Sequence, residues 1–313
     1  MELSLLLLEQ IAAMVVMAFA GFVLGKTRIL TGENSRVLSL ACIYLVIPCS
    51  LFDAFQTEFD TAKLLGLGVA FALALAYHAV FFGASALLSR TARPLSAGEQ
   101  ACAVYNNAGN LIIAVVQGAL GSDYVIYTGA YLVVQNLLVW THGQRLMGGT
   151  AKPSLKKVLL NPNILALLLG LLFFFARLRL PGFAGTAVSS LGRCVGPLSM
   201  LVIGVLLAET DFKAILRERA VLRATFLRLV LFPLLAFALT YAASLLWRAP
   251  NATPVLTVAL LCAIGPSASV VTQLAQLYRS PENRLVSSIN AATTLFCAVT
   301  IPLFCTAFQL LAG

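Results

Sequence analysis

The sequence predicts an all-α polytopic membrane protein of ten transmembrane helices in two inverted five-helix repeats, and three observations lead there. Sixty per cent of the 313 residues are hydrophobic and 11% are charged, with a mean hydropathy of +0.94, against roughly 45–50% apolar and roughly 25% charged in soluble domains. The apolar residues fall in runs of membrane-spanning length, with room for about ten runs of about 20 residues joined by short loops. The fourth and ninth runs are each interrupted by a polar knot, and paired interruptions in corresponding halves point to a transporter's substrate site.

Span 1 covers residues 5–25. Its acids, Glu2 and Glu9, stand where a secretory signal carries basic charge, and its apolar run is too long for one, so it reads as a retained span. Span 2 (38–55) carries Pro48 as a kink, tolerated where neighbours satisfy the freed carbonyl. Span 3 (64–88) holds Tyr77 and His78 near its centre. Span 4 (102–120) is broken at Asn106-Asn107-Ala108-Gly109-Asn110, and span 5 (124–141) contains Gln135 and Asn136. The loop 142–160 divides the chain. Span 6 (162–177, with an extension toward Phe183), span 7 (188–209, with Pro197) and span 8 (222–247, with Pro233) follow. Span 9 (255–278) is broken at Gly265-Pro266-Ser267-Ala268-Ser269, and span 10 (285–311) carries Asn290, Thr293, Thr294 and Pro302.

One offset carries Gly21 onto Gly170 and Pro48 onto Pro197, and a further shift in the charged loop before span 8 aligns the two breaks. Five spans per half, an odd number, force the halves into opposite orientations. The two breaks then approach a shared midplane from opposite sides.

Sixteen of the 21 basic residues fall on one side: Lys26, Arg28 and Arg36; Arg90 and Arg93; Arg145, Lys152, Lys156 and Lys157; Lys213, Arg217, Arg219, Arg223 and Arg228; Arg279 and Arg284. Lys63, Arg177, Arg179, Arg193 and Arg248 fall on the other. The positive-inside rule therefore puts both termini outside. The same distribution explains the net charge of +9 without nucleic acid. The seven cysteines (Cys42, Cys49, Cys102, Cys194, Cys262, Cys297, Cys305) lie in apolar runs without metal-ligand spacing, and read as small packing residues.

At each break a half-helix begins inside the membrane, offering free N–H groups and about half a positive elementary charge. Two such ends suit a small anion. The candidate substrate-binding set is Asn106, Asn107, Gly109, Asn110, Gly265, Pro266, Ser267 and Ser269, joined by Gln135, Asn136 and Asn290. The competing account is that these polar groups only stitch helices together. For Gln135, Asn136 and Asn290 the structural and site-lining roles stay open. So do two roles for His78, a proton carrier or a neutral imidazole bonded to a neighbouring helix. The acids sit at predicted helix ends or in loops, so a midplane carboxylate relay is missing. The Lys213, Arg217, Arg219, Arg223 cluster reads as an inner-face charge anchor, with anionic lipid as the other contact. No GxSxG, HExxH or Walker pattern is present, and two histidines without adjacent acids build neither a triad nor a metal site. The protein is expected not to be an enzyme and to need no cofactor or metal.

Four segments, LVIPCSLF in span 2, AVYNNAGNLIIAVVQGALG in span 4, VGPLSMLVIGVLLAETDF in span 7 and IGPSASVVTQLAQLY in span 9, resemble the auxin efflux carrier family, in particular its bacterial permeases. The similarity covers essentially the whole chain. It implies scaffold helices in 1–60 and 161–212, transport-domain helices in 61–141 and 213–313, a cytoplasmic linker at 142–160, and crossed broken helices 4 and 9. It further implies organic anion substrates, mono- or dicarboxylates, moved by an elevator-like change of access. Family members often carry a proline at the first break; here Ala108-Gly109 stand instead, while Pro266 remains at the second. The expected function is a secondary transporter of small organic anions in the plasma membrane; the alternative is a sodium-coupled symporter of the bile-acid type. Expected partners are the anion, the lipid bilayer, a proton or sodium as coupling ion, and a second copy in a homodimer.

Overall fold

The computed structural model describes residues 2–148, 160–211 and 217–312. Lys152, Lys156, Lys157 and Lys213, with most of the expected 142–160 linker, lie outside the described residues. Among the described residues the chain is helical throughout, with no strand beyond a single isolated bridge.

The first helix, α1 (Glu2–Lys26), is a long apolar helix ended by basic residues, with Arg28 in a left-handed conformation at φ 60°. After it come α2 (Gly32–Asp53) and α3 (Thr61–Leu88). The Thr31 hydroxyl caps α2 by accepting from Asn34 N–H at 3.4 Å, and the Asp60 carboxylate caps α3 by accepting from Ala62 N–H at 3.0 Å. Pro48 does not break α2. The turn before it, Cys42–Val46, widens to a π turn, which moves a carbonyl away from the proline ring. The same device recurs at Leu227–Leu231 ahead of Pro233.

Two short helices come next, α4 (Ala97–Val104) and α5 (Ala108–Ala119), and then α6 (Val125–Leu138). A π turn at Val139–Gly143 carries α6 on into Gln144–Gly148. Helix therefore continues where the sequence pattern places the start of the dividing loop. In the second half lie α7 (Pro162–Ala176), α8 (Gly182–Ala208), α9 (Arg219–Leu246), α10 (Ala252–Ile264), α11 (Ser269–Leu277) and α12 (Asn283–Ala312). Arg177, in the left-handed region at φ 54°, stops α7. The expected extension to Phe183 does not form, and Phe183 belongs to α8.

Among the described residues, six stretches, in α1, α2, α3, α8, α9 and α12, are long and apolar enough to cross a membrane, and α5, α7 and α10 are shorter apolar helices. The helix buried most completely is α10, in which every residue from 255 to 264 is inaccessible. It packs against α3, α6, α9 and α12. Outward faces carry Val16, Phe19, Tyr44, Leu172, Val299 and Leu303 in the open, as lipid-facing surfaces do. A separate seam joins α1 to α8. A Cβ at Gly21 would strike the Leu201 carbonyl, and one at Gly204 the Ala18 carbonyl, so glycine is required for the two backbones to touch. Most cysteines are buried, as packing residues should be, but Cys194 is exposed at the turn within α8.

Candidate functional site

Two helices stop inside the molecule and restart. Val104 ends α4, Tyr105 to Asn107 are non-helical, and α5 opens at Ala108 with a π turn. Ile264 ends α10, residues 265–268 are extended, and α11 opens at Ser269. The two short extended stretches run antiparallel and pair as an isolated bridge between Asn106 and Ser267. Asn107 N–H donates to Pro266 C=O at 2.8 Å, and Ala268 N–H donates to Tyr105 C=O at 3.0 Å. Backbone groups freed by each break are thus satisfied by the other, which is what an apolar interior demands.

Side chains complete the crossing. Asn106 is buried, and its Nδ2 donates to Tyr131 Oη and to Cys262 C=O, both at 2.5 Å, while its Oδ1 accepts from Ala108 N–H at 3.1 Å. One amide therefore ties the end of α10 to the start of α5. Gln135 clamps the Asn106 peptide groups, accepting from its N–H at 3.2 Å and donating to its C=O at 2.9 Å. Across the bridge, Ser267 N–H donates to Thr293 Oγ1 at 3.1 Å and Ser267 C=O accepts from Asn290 Nδ2 at 3.0 Å. Gln135 on α6 and Asn290 on α12, the helices that follow the two breaks, hold the backbone.

Asn110 and Ser269 sit differently. Both are only half-buried, in the first turns of α5 and α11, and Asn110 Nδ2 donates to Ser269 Oγ at 3.3 Å. The first turns of the two half-helices therefore meet at these side chains, and neither half-helix has a side-chain hydrogen bond from its N-cap residue, Asn107 or Ala268. Asn110 Oδ1, Asn136 Nδ2 and Ser267 Oγ are buried atoms without hydrogen-bond partners among the described residues. Gly109 lies beside Asn110 with only Leu132 close to it, and Gly265 comes near the Ile112 side chain. The structure thus brings Asn106, Asn107, Asn110, Gln135, Gly265, Pro266, Ser267, Ser269 and Asn290 together at one crossing.

His78 lies one residue out. It is buried, its Nδ1 bonds the Ala74 carbonyl at 2.8 Å, and its ring stands 5.0 Å from that of Tyr131, which receives the Asn106 bond. A carbonyl only accepts, so Nδ1 carries the proton, and Nε2 has no partner among the described residues.

Arg228 overturns a reading of the sequence. Counted there with the inner loop charges, it is instead fully buried inside α9. Its Nε donates to Gly265 C=O at 2.8 Å, Nη1 to Ala103 C=O at 2.9 Å, and Nη2 to Ala263 C=O. The signal was available: Arg228 falls within the apolar run of span 8, and an ionisable residue there is a site candidate by default. Arg223, expected to anchor at the inner face, pairs with Glu99 at 2.6 Å and 2.8 Å through both oxygens. Glu282 accepts from Ser96 Oγ and Gly98 N–H at the same helix start. These contacts fix the N-terminal end of α4.

A cavity of about 420 Å³ lies between α1, α5, α8 and α12, and Leu111, the residue after Asn110, is in its wall. Its wall is almost wholly apolar and includes Leu111 and Val115 of α5, Met14 of α1 and Met200 of α8.

The sequence model of a family described as membrane transport protein matches residues 6–156 and 149–305. The chain belongs to this family. It is the membrane transport domain of the auxin efflux carriers, so the resemblance carried by spans 2, 4, 7 and 9 holds. This membrane transport protein is accordingly a multi-pass membrane transporter. No curated protein matches the chain.

Proposed function

We propose that the chain is a secondary transporter of small organic anions, mono- or dicarboxylates, that binds its substrate where the first turns of α5 and α11 meet. The observation that carries this reading is the contact of Asn110 with Ser269 at two half-helix N-termini, with the next residue, Leu111, in the wall of an apolar cavity. Each N-terminus brings about half a positive elementary charge, and inside a low-dielectric site two of them favour an anion. Asn107, Asn110, Ser267 and Ser269 supply the hydrogen bonds, and the unpartnered Asn110 Oδ1 is an atom that a polar ligand group would satisfy. A turn of the Asn110 amide exchanges its donor and acceptor, since the Ser269 hydroxyl serves in either sense. The apolar cavity takes the carbon skeleton.

In this reading ten helices form two inverted repeats. The α1, α2, α7 and α8 group, close-packed at the Gly21 and Gly204 seam, is the scaffold. The remaining helices, residues 61–141 and 213–313, carry the site past it in an elevator-like movement, with both termini outside the plasma membrane. Coupling is to a proton, through the substrate or His78, or the carrier is a uniporter; a homodimer through the scaffold fits this division.

Uptake of labelled malonate, malate and indole-type acids into proteoliposomes tests the proposal. Saturable uptake of at least one is expected, with Asn107→Ala and the paired Asn110→Ala, Ser269→Ala change weakening apparent affinity about tenfold, the loss of one or two charge-assisted hydrogen bonds. Wild-type rates for all acids in both variants would remove the site assignment.

A further inference from the structure

A broken helix leaves its last carbonyls without N–H partners, and its C-terminus carries about half a negative elementary charge. Both half-helices that end at the crossing, α4 and α10, have that problem in the middle of the molecule. Arg228 meets it at both ends at once. Its guanidinium donates to Ala103 C=O at the end of α4 and to Ala263 and Gly265 C=O at the end of α10, over the Phe81 ring at 5.6 Å from the centroid.

This arginine is fully buried, and among the described residues no carboxylate lies within 4.0 Å of its nitrogens. A lone buried charge of this kind needs compensation. Two C-termini together supply about one negative charge, which balances the guanidinium without any acid. In transporters with broken helices, unwound carbonyls and half-helix C-termini are also the groups that coordinate a dissociable cation. Here those oxygens are already occupied.

We propose that Arg228 is a tethered cation at the crossing, holding the carbonyls that a dissociable coupling cation would take, so that this carrier works without sodium. The second clause rests on the anion-carrier reading; the first does not.

The test uses the purified full chain. Arg228→Gly removes the guanidinium and leaves its space. It is expected to unfold at lower temperature than wild type and to recover on adding low-millimolar methylguanidinium, while choline does nothing and wild type does not respond. Arg228→Lys keeps one positive charge and is expected to exceed Arg228→Met in both stability and uptake, the uptake gap being at least about tenfold. Wild-type uptake is expected to be equal in sodium and choline buffers. The proposal is overturned if methylguanidinium restores nothing to a folded Arg228→Gly, if Lys behaves as Met, or if wild type requires sodium. If wild type moves no anion in either buffer while methylguanidinium still restores Arg228→Gly, the anion reading falls and the tethered cation stands.

Discussion

The two breaks do the same job by different chemistry. At the second, Gly265 and Pro266 open the helix through the backbone: a proline has no N–H to leave stranded, and its fixed φ suits an extended stretch. At the first there is no proline, and side chains keep the helix open. Asn106 satisfies the Cys262 carbonyl, the Ala108 N–H and the Tyr131 hydroxyl, and Gln135 takes both of its peptide groups. A break written into the backbone tolerates loss of a side chain; one held by an amide network does not.

The largest expected effect therefore follows from Asn106→Ala. It strands a carbonyl, an N–H and a phenol in a buried place, and is expected to lower stability by about 3 kcal/mol, moderated by alternative partners within the bundle. Thermal unfolding in detergent measures it. A loss no greater than that of Pro266→Ala would mean that the first break, too, is set by its backbone.

Much of this comparison is legible in the sequence, and its limits are physical. Both breaks show because polar and glycine or proline residues interrupt apolar runs, and hydrocarbon tolerates that only where protein closes around it. What one sequence does not give is which of two like residues faces which partner. Asn106 and Asn110 are four apart in one knot, yet Asn106 lies in the extended bridge and is closed off by six bonds, while Asn110 lies on a helix turn and stays half-open. Their roles depend on the antiparallel register of Asn106 with Ser267, a contact between residues distant in the chain. Arg228 was misplaced for a related reason. It stands close in sequence to Arg217, Arg219 and Arg223, and charge counting has no measure of depth once a basic cluster runs on into a span.

A smaller effect separates the two helices that hold the breaks. Gln135→Leu leaves both an N–H and a C=O of Asn106 without side-chain partners, whereas Asn290→Leu frees one C=O of Ser267, whose N–H keeps Thr293. Losses of about 2 and about 1 kcal/mol are expected, because a carbonyl is easier to re-satisfy than a lone N–H. Equal losses in thermal unfolding would show that the two clamps are interchangeable and the asymmetry between the breaks superficial.

The smallest effect is expected at Ser267→Ala, and it sharpens the contrast most directly with Asn106, its bridge partner. The Ser267 Oγ is buried and has no hydrogen-bond partner of ordinary geometry; the Cys102 thiol beside it is a weak one. The main chain of Ser267, by contrast, is fully engaged, and alanine keeps it. Removing an unsatisfied hydroxyl relieves its desolvation, so stability is expected to change by less than about 0.5 kcal/mol or to rise. If Ser267 serves the substrate, the same variant should weaken anion uptake while its unfolding temperature holds. A fall in stability comparable to that of Asn106→Ala would show the hydroxyl to be part of the crossing, and would return Ser267 from the ligand to the fold.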